Sequence, residues 1–168
     1  MDLKWFLEFK IQRNHKSRTI SINQCAYIKS MLEKFRLTNA KWVLTSMEAN
    51  AQFSTQQNSS TLNQATQMKG IPYVKAVGSV LWLTVISRPD TTYAVGLLSQ
   101  FIQNPGPAHW EGIKRVIMYL SYTKNLWLTF GGNKKTLLEG YCDANWASQS
   151  YKHSISGFLF HYRCSAIS

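Results

Sequence analysis

Polar and apolar residues alternate at the start of the chain. From Leu3 to Gln12, Leu7, Phe9 and Ile11 fall on one side and Glu8, Lys10 and Gln12 on the other, the period of a half-buried strand. The polar run RNHKS follows, and RTISI, Arg18 to Ile22, alternates again. Two alternating runs about a polar turn predict a β-hairpin. The period then lengthens. Tyr27, Ile28, Met31, Leu32 and Phe35 form one apolar stripe, with Lys29, Glu33 and Lys34 off it. That spacing predicts a helix through Phe35, with Asn23 as its N-cap.

Between Trp42 and Met68 the periodicity disappears. The stretch carries one charge, Glu48, and is rich in Ser, Thr, Asn and Gln, which predicts a loose polar loop over residues 42–68. Beyond it Tyr73, Val77, Val80, Leu81 and Thr84 return to helical spacing until Pro89, in SRPD, forces a break. A second helix is predicted from Thr91 to Ile102. A third starts at Pro107 or Ala108 and runs to Leu120, with Trp110, Ile113, Val116, Ile117 and Leu120 as its buried face. After TKN the period shortens again. LWLTF, GGNKK and TLLEGYC predict strand, turn and strand, and ISGFLFHYR, Ile155 to Arg163, a further strand. The class is α+β. No helix follows the last strands to cover them, a pattern expected of a truncated sheet.

Charge adds a partner to this outline. Nineteen Lys and Arg stand against eight Asp and Glu, a formal net charge of +11. Such a balance favours a polyanion, nucleic acid first and an anionic membrane surface second. The excess is concentrated early: Met1 to Lys41 holds nine Lys and Arg against Asp2, Glu8 and Glu33. Trp5, Phe6 and Phe9 are interleaved with Lys4 and Lys10, a pattern that serves either base stacking or core packing. Cys25, Cys142 and Cys164 are dispersed, with no C-x-x-C pair, which excludes the common zinc and disulfide frameworks and suits a reducing compartment. The longest apolar run, Val77 to Ile86, is too short to cross a bilayer, and no secretory signal is legible. The expected location is cytoplasmic or nuclear, with no membrane partner and no small-molecule substrate.

The candidate chemistry is sparse. No phosphate-binding glycine loop, G-x-S-x-G or Cys/His nucleophile pattern occurs. His109 opens a helix beside Trp110, where packing is a commoner role for histidine than catalysis. His153 and His161 have no carboxylate or cysteine at metal-ligand spacing. Two-metal catalysis needs converging carboxylates, and no two of the eight acids are adjacent. Asp143, in EGYCDANWAS, shares a strand face with Glu139, but four residues of strand rise separate the two by more than ~10 Å.

Longer motifs point to a family. VGSVLWL (Val77 to Leu83), SRPD (Ser87 to Asp90), Ala94-Val95, Ser99 to Phe101, Pro105 to Trp110 and Arg115 to Leu120 occur in the order of a known pattern. They resemble the stretch of copia-type LTR-retrotransposon Pol polyproteins that joins reverse transcriptase to RNase H. LKWFLEFKI resembles the primer-gripping hairpin at the end of the polymerase palm, ISINQCAYIKSMLEKF the segment after it, and EGYCDANWAS with SISGFLF the start of RNase H. The resemblance implies three regions: a primer-grip-like hairpin over 1–23, a helical thumb- or connection-like region over 24–130 with the polar loop 42–68, and the truncated opening strands of an RNase H-like domain over 131–168. By the C-D-A-x-W match, Asp143 takes the position of the first metal-binding aspartate of that RNase H. The family uses magnesium. Its polymerase Asp-Asp motif would precede Met1 and its later RNase H acids would follow Ser168, so the resemblance implies an internal Pol fragment without activity of its own. No stable magnesium site is expected, with Asp143 as a single ligand. A second expectation is a basic module that holds RNA or DNA template-primer through Lys4, Lys10, Arg13, Lys16 and Arg18. The sequence departs from the family at Glu8, where Gly is usual, at TSM (Thr45 to Met47) for T-P-M, at SYT (Ser121 to Thr123) for K-G-T, and at Asn145 for Asp.

Overall fold

A computed structural model describes residues 3–132, 138–145, 155–162 and 165–167. The chain divides into a β unit, Met1–Asn23 with Trp127–Ser168, and a helical unit, Gln24–Leu126.

In the β unit, β1 (Trp5–Phe6), β2 (Phe9–Asn14), β3 (Thr19–Asn23) and β4 (Leu128–Gly131) form an antiparallel sheet in that order. The alternating run at the N-terminus is therefore two strands. Phe6 pairs with Phe9, and Leu7 and Glu8 between them have φ of 42° and 69°. Two left-handed residues in a two-residue hairpin loop make a type I′ turn, whose twist matches the flanking strands. Such turns favour Asn-Gly because a Cβ at positive φ is strained. Leu and Glu give no turn signal, and the apolar–polar alternation of the sequence runs on through the turn, although the turn reverses its phase and puts Trp5 opposite Lys10, so the break is invisible in the pattern. The glycine that the resemblance implies at position 8 would relieve this strain. Glu8→Gly is expected to stabilise the protein by about 1 kcal/mol, raising Tm by about 2–4 °C in a thermal melt; an unchanged Tm would refute strain at this turn.

LWLTF also pairs differently from its expected strand–turn–strand. β4 joins β3, with Ile22 opposite Leu128 and Ile20 opposite Phe130, and the Ser21 and Thr129 hydroxyls meet at 2.8 Å. Gly131 closes this edge: its φ is +103°, and a Cβ there would lie 2.1 Å from the Arg18 carbonyl oxygen. From Leu138 on, TLLEGYC instead contributes to a second antiparallel sheet of β5 (Leu138–Asn145), β6 (Ile155–Tyr162) and β7 (Ser165–Ala166), while Thr136, Leu137 and the end of the expected turn GGNKK lie outside the described residues. The Ser165 hydroxyl donates to the Thr129 carbonyl. Arg163, expected at the end of β6, lies outside the described residues.

The helical unit holds α1 (Cys25–Lys34), α2 (Leu62–Lys69), α3 (Tyr73–Ile86), α4 (Thr92–Ser99) and α5 (Pro107–Tyr122). Asn23 does not cap α1. It stays in the sheet opposite Lys10, and Gln24 is the N-cap residue. At its other end α1 closes in a Schellman turn, with Arg36 at φ 57° and the Leu37 N–H donating to the Leu32 carbonyl at 2.8 Å. α4 is shorter than expected: Thr91 belongs to a separate 3-10 turn, Pro89–Thr91, and the helix ends at Ser99, where Gln100, Phe101 and Ile102 bond to the carbonyls three residues back. Pro107 takes the first position of α5.

One core serves these helices: Ile28, Met31 and Leu32 of α1, Val77, Val80 and Leu83 of α3, Val95 and Leu98 of α4, and Ile113, Val116, Ile117 and Leu120 of α5. Burial of each such side chain contributes about 1.5–3 kcal/mol. Two expected members differ. Leu81 is 46% exposed, its place taken by Leu83. Trp110 packs only at the margin, while His109 is fully buried.

The polar stretch expected as a loose loop is ordered against α5. Arg115 donates to the Glu48 carboxylate at 2.8 Å and to the Thr45 hydroxyl at 3.0 Å. The Phe53 ring lies against Gly112, where a Cβ would meet it at 2.7 Å. Ser59 donates to the Pro105 carbonyl. The stretch ends in α2, capped by Thr61, whose hydroxyl accepts the Gln64 N–H at 3.3 Å. Its composition is polar because tertiary partners, not a periodic apolar face, hold it.

His109 is part of this attachment. Its Nδ1 accepts the Gly106 N–H at 2.8 Å, and its ring stacks on Phe101 at 4.0 Å and faces Phe53 at 5.9 Å. Burial pushes the imidazole below the ordinary histidine range; the Ser54 backbone opposes this only in part, and among the described residues Nε2 has no partner at full hydrogen-bond geometry. The folded protein therefore holds His109 neutral. Below about pH 6.5 the unfolded chain takes up a proton that the folded chain does not. Stability from this group is complete above that pH and is lost as the pH falls towards the depressed folded value. Thermal melts from pH 8 to 5 are expected to show a steeper decline in wild type than in His109→Gln, by up to about 1.4 kcal/mol per pH unit. Parallel curves would refute it.

Candidate nucleic-acid interface

The five cations singled out in the sequence are all exposed and all lie in or beside the first hairpin. Lys4 precedes β1 and is tied to β2 by its carbonyl, which accepts the Ile11 N–H at 2.8 Å. Lys10 and Arg13 are on β2; strand parity puts them on opposite faces. Lys16 and Arg18 occupy the loop between β2 and β3. That loop is pinned locally. The Asn14 side-chain oxygen accepts the N–H groups of Lys16 and Ser17 at 3.0 and 3.1 Å, and the Ser17 and Thr19 hydroxyls meet at 2.9 Å. Arg18 takes a left-handed φ of 54°, and its carbonyl accepts the Gly132 N–H. The loop presents its charges from a fixed backbone.

An open groove of about 830 Å³ runs along this hairpin, lined by Lys4, Lys10, Arg13 and Lys16 together with Trp5 and Gln12. The structure thus brings four of the five cations to one concavity. Arg18 lines a second groove of about 600 Å³ with Arg13, Ile20, Phe130 and Tyr162. Among the described residues neither lining includes a carboxylate. The hairpin aromatics separate by role: Phe9 is buried, whereas Trp5 and Phe6 are 54% and 53% exposed. Trp5 sits directly opposite Lys10, and the Lys10 ammonium lies 6.0 Å from the Trp127 ring centroid. Trp127, Phe130 and Tyr162 were not legible as part of this surface. They reach it through the pairing of β3 with β4 and the fold of the β unit, which leave no local signal.

Asp143 stands apart from these cations in sequence. It lies in β5, exposed, with Gly157 opposite it. Glu139 is four residues away on the same strand, about 13 Å at strand rise. β6 places His161 opposite Glu139, a neighbour the linear spacing does not reveal. Among the described residues no three His, Cys, Asp or Glu side chains are grouped to hold a metal ion. His153 lies outside the described residues. No described helix is long and apolar enough to cross a membrane.

The chain belongs to the Pol polyproteins of copia-type transposons. The retrovirus-related Pol polyprotein from transposon TNT 1-94 of Nicotiana tabacum is 38% identical to it over 163 residues, covering 96% of this chain and 12% of the polyprotein. The corresponding protein from transposon RE2 of Arabidopsis thaliana is 30% identical over 94% of this chain and 10% of its own length. The secreted RxLR effector protein 161 of Plasmopara viticola is 46% identical over 94 residues, which are 55% of this chain and 66% of that protein. The chain therefore spans about a tenth of the length of the polyproteins it matches. No protein-family profile and no solved structure matches it.

Proposed function

We propose that this chain is a nucleic-acid-holding part of the reverse transcriptase–RNase H region of a copia-type Pol polyprotein, without catalytic activity of its own. The observation that carries this reading is the groove lined by Lys4, Lys10, Arg13 and Lys16, with exposed Trp5 at one side. Phosphates attract such a lining regardless of sequence, and an exposed ring offers a face to a base. Among the described residues no second carboxylate is grouped with Asp143, which supports catalytic silence. Its place on the first strand of a three-stranded antiparallel sheet is in keeping with an opening RNase H-like strand.

The test is filter binding to an RNA–DNA template-primer with a single-stranded overhang, at rising salt. Five phosphate contacts predict a loss of about 10²–10³ in affinity between 50 and 200 mM salt. Replacing Lys4, Lys10, Arg13, Lys16 and Arg18 by alanine is expected to weaken binding and flatten that slope. Absent or salt-independent binding would reject the reading. Magnesium-dependent cleavage of an RNA–DNA hybrid, abolished by Asp143→Ala, would reject catalytic silence.

A further inference from the structure

The two grooves of the β unit meet at the tip of one hairpin and share its residues there. Lys10, opposite Trp5, belongs to the polar face, along which Gln12 pairs with Ser21 and Asn14 with Thr19. Arg13, Ile20 and Phe130 stand opposite one another on the other face. Arg13, Asn14, His15 and Thr19 line both grooves. A continuous basic track therefore passes from Lys4 and Lys10 on one face, over Arg13, Lys16 and Arg18 at the tip, to the other face. Each end of the track carries an exposed aromatic ring: Trp5, 54% exposed, and Tyr162, 39% exposed.

The geometry points to single-stranded nucleic acid, DNA or RNA alike, as the ligand of this surface, wrapped around the hairpin tip with bases stacked on Trp5 and Tyr162. This rests on the nucleic-acid reading above and narrows it. A duplex has a persistence length of about 50 nm and does not fold over a two-stranded hairpin. Its base faces are already stacked on one another and are closed to a protein ring. A single strand has neither restriction, and its phosphates and π-faces match an alternation of cations and aromatics. The cations and the exposed rings act through charge and stacking, and these are common to both sugars.

The experiment uses the whole chain and three labelled probes, a 12-mer of oligo-dT, a 12-mer of oligo-rU and a blunt 12-base-pair duplex, in fluorescence anisotropy at fixed salt. Both single strands are expected to bind at least tenfold more tightly than the duplex and within a few-fold of each other. Trp5→Ala is expected to lower single-strand affinity about tenfold and Tyr162→Ala several-fold, each with a smaller loss of duplex affinity. Trp5→Phe, which keeps a ring, restores most of the loss. Trp5 is exposed, and a wild-type melting curve for Trp5→Ala confirms that folding is intact. Duplex binding equal to or tighter than single-strand binding overturns this inference but leaves the broader reading standing. A tenfold preference for one sugar overturns the claim of a shared chemistry. No binding by any probe, nor by the template-primer, overturns the broader reading itself.

Discussion

Arg88→Ala is expected to lower the stability of the helical unit by about 3 kcal/mol, a fall of about 6–12 °C in Tm. Arg88 is the R of SRPD, and its side chain is 5% exposed. The guanidinium grips Asp90 in a fork, Nε to Oδ1 at 3.0 Å and Nη2 to Oδ2 at 2.7 Å. It also donates to the Thr123 hydroxyl at 2.6 Å and the Thr123 carbonyl at 3.3 Å, and lies over the Tyr119 ring at 5.4 Å. Tyr119 completes the circuit by donating its hydroxyl to Asp90 at 2.8 Å. One cation thus ties the turn between α3 and α4 to the carboxyl end of α5, where helix carbonyls lack partners.

Alanine would strip every one of those bonds and leave a cavity. The loss stays near the lower end for a broken buried pair because Asp90 is 37% exposed and regains water. Arg88→Lys keeps the charge without the fork, and a loss of about 1–2 kcal/mol is expected. The acid limb gives a second readout. Burial pushes the Asp90 carboxyl up, but the Arg88 guanidinium and the Tyr119 hydroxyl outweigh it, so its pKa lies below the ordinary value. The pair's contribution is complete above about pH 4 and is lost as the pH falls through the depressed value. A variant within 1 kcal/mol of wild type, with an unaltered acid limb, would show that the network is not a structural tie.

The sequence pattern made the helices of the 73–122 stretch visible because their burial is periodic: Val77, Val80, Ile113, Val116, Ile117 and Leu120 are all in the core. It misled wherever the determining contact is distant or conformational. Leu7 and Glu8 turn the chain through positive φ without turn residues. The pairing of Ile20 with Phe130 spans more than a hundred positions and leaves no local trace. Gln24 replaces Asn23 at the head of α1 because Asn23 is held by the sheet, and tertiary pairing outranks capping preference. Of the candidate interface, the cations were legible as a local excess of charge. Their concavity and its further aromatic residues, Phe130 and Tyr162, were not, since strands remote in sequence supply them. Arg88 was legible only as part of a helix break, although its burial makes it the main electrostatic tie in that region.

Gly106→Ala is expected to destabilise the protein by about 2–4 kcal/mol and to release the ordered stretch that precedes α2. The reason is space, not backbone freedom: Gly106 has φ −103° and ψ 174°, a conformation open to alanine. A Cβ there would lie 1.7 Å from the Gln57 carbonyl oxygen and 2.8 Å from its carbon. Gln57 cannot retreat alone. Its side chain accepts the Ser54 N–H at 3.2 Å and donates to the Gln52 carbonyl at 3.1 Å, so the whole turn around Thr55–Gln57 moves with it. That movement would draw Phe53 from Gly112 and uncover His109, whose Nδ1 depends on the Gly106 N–H. Two readouts should therefore change together: a lower Tm, and faster proteolytic cleavage between residues 42 and 60. Gly78→Ala is the internal comparison. Nothing lies within 4 Å of a Cβ at that site in α3, and removing a helical glycine is expected to stabilise by about 0.5–1 kcal/mol. If Gly106→Ala behaved like Gly78→Ala in both measurements, the close passage of the polar stretch over the start of α5 would be refuted.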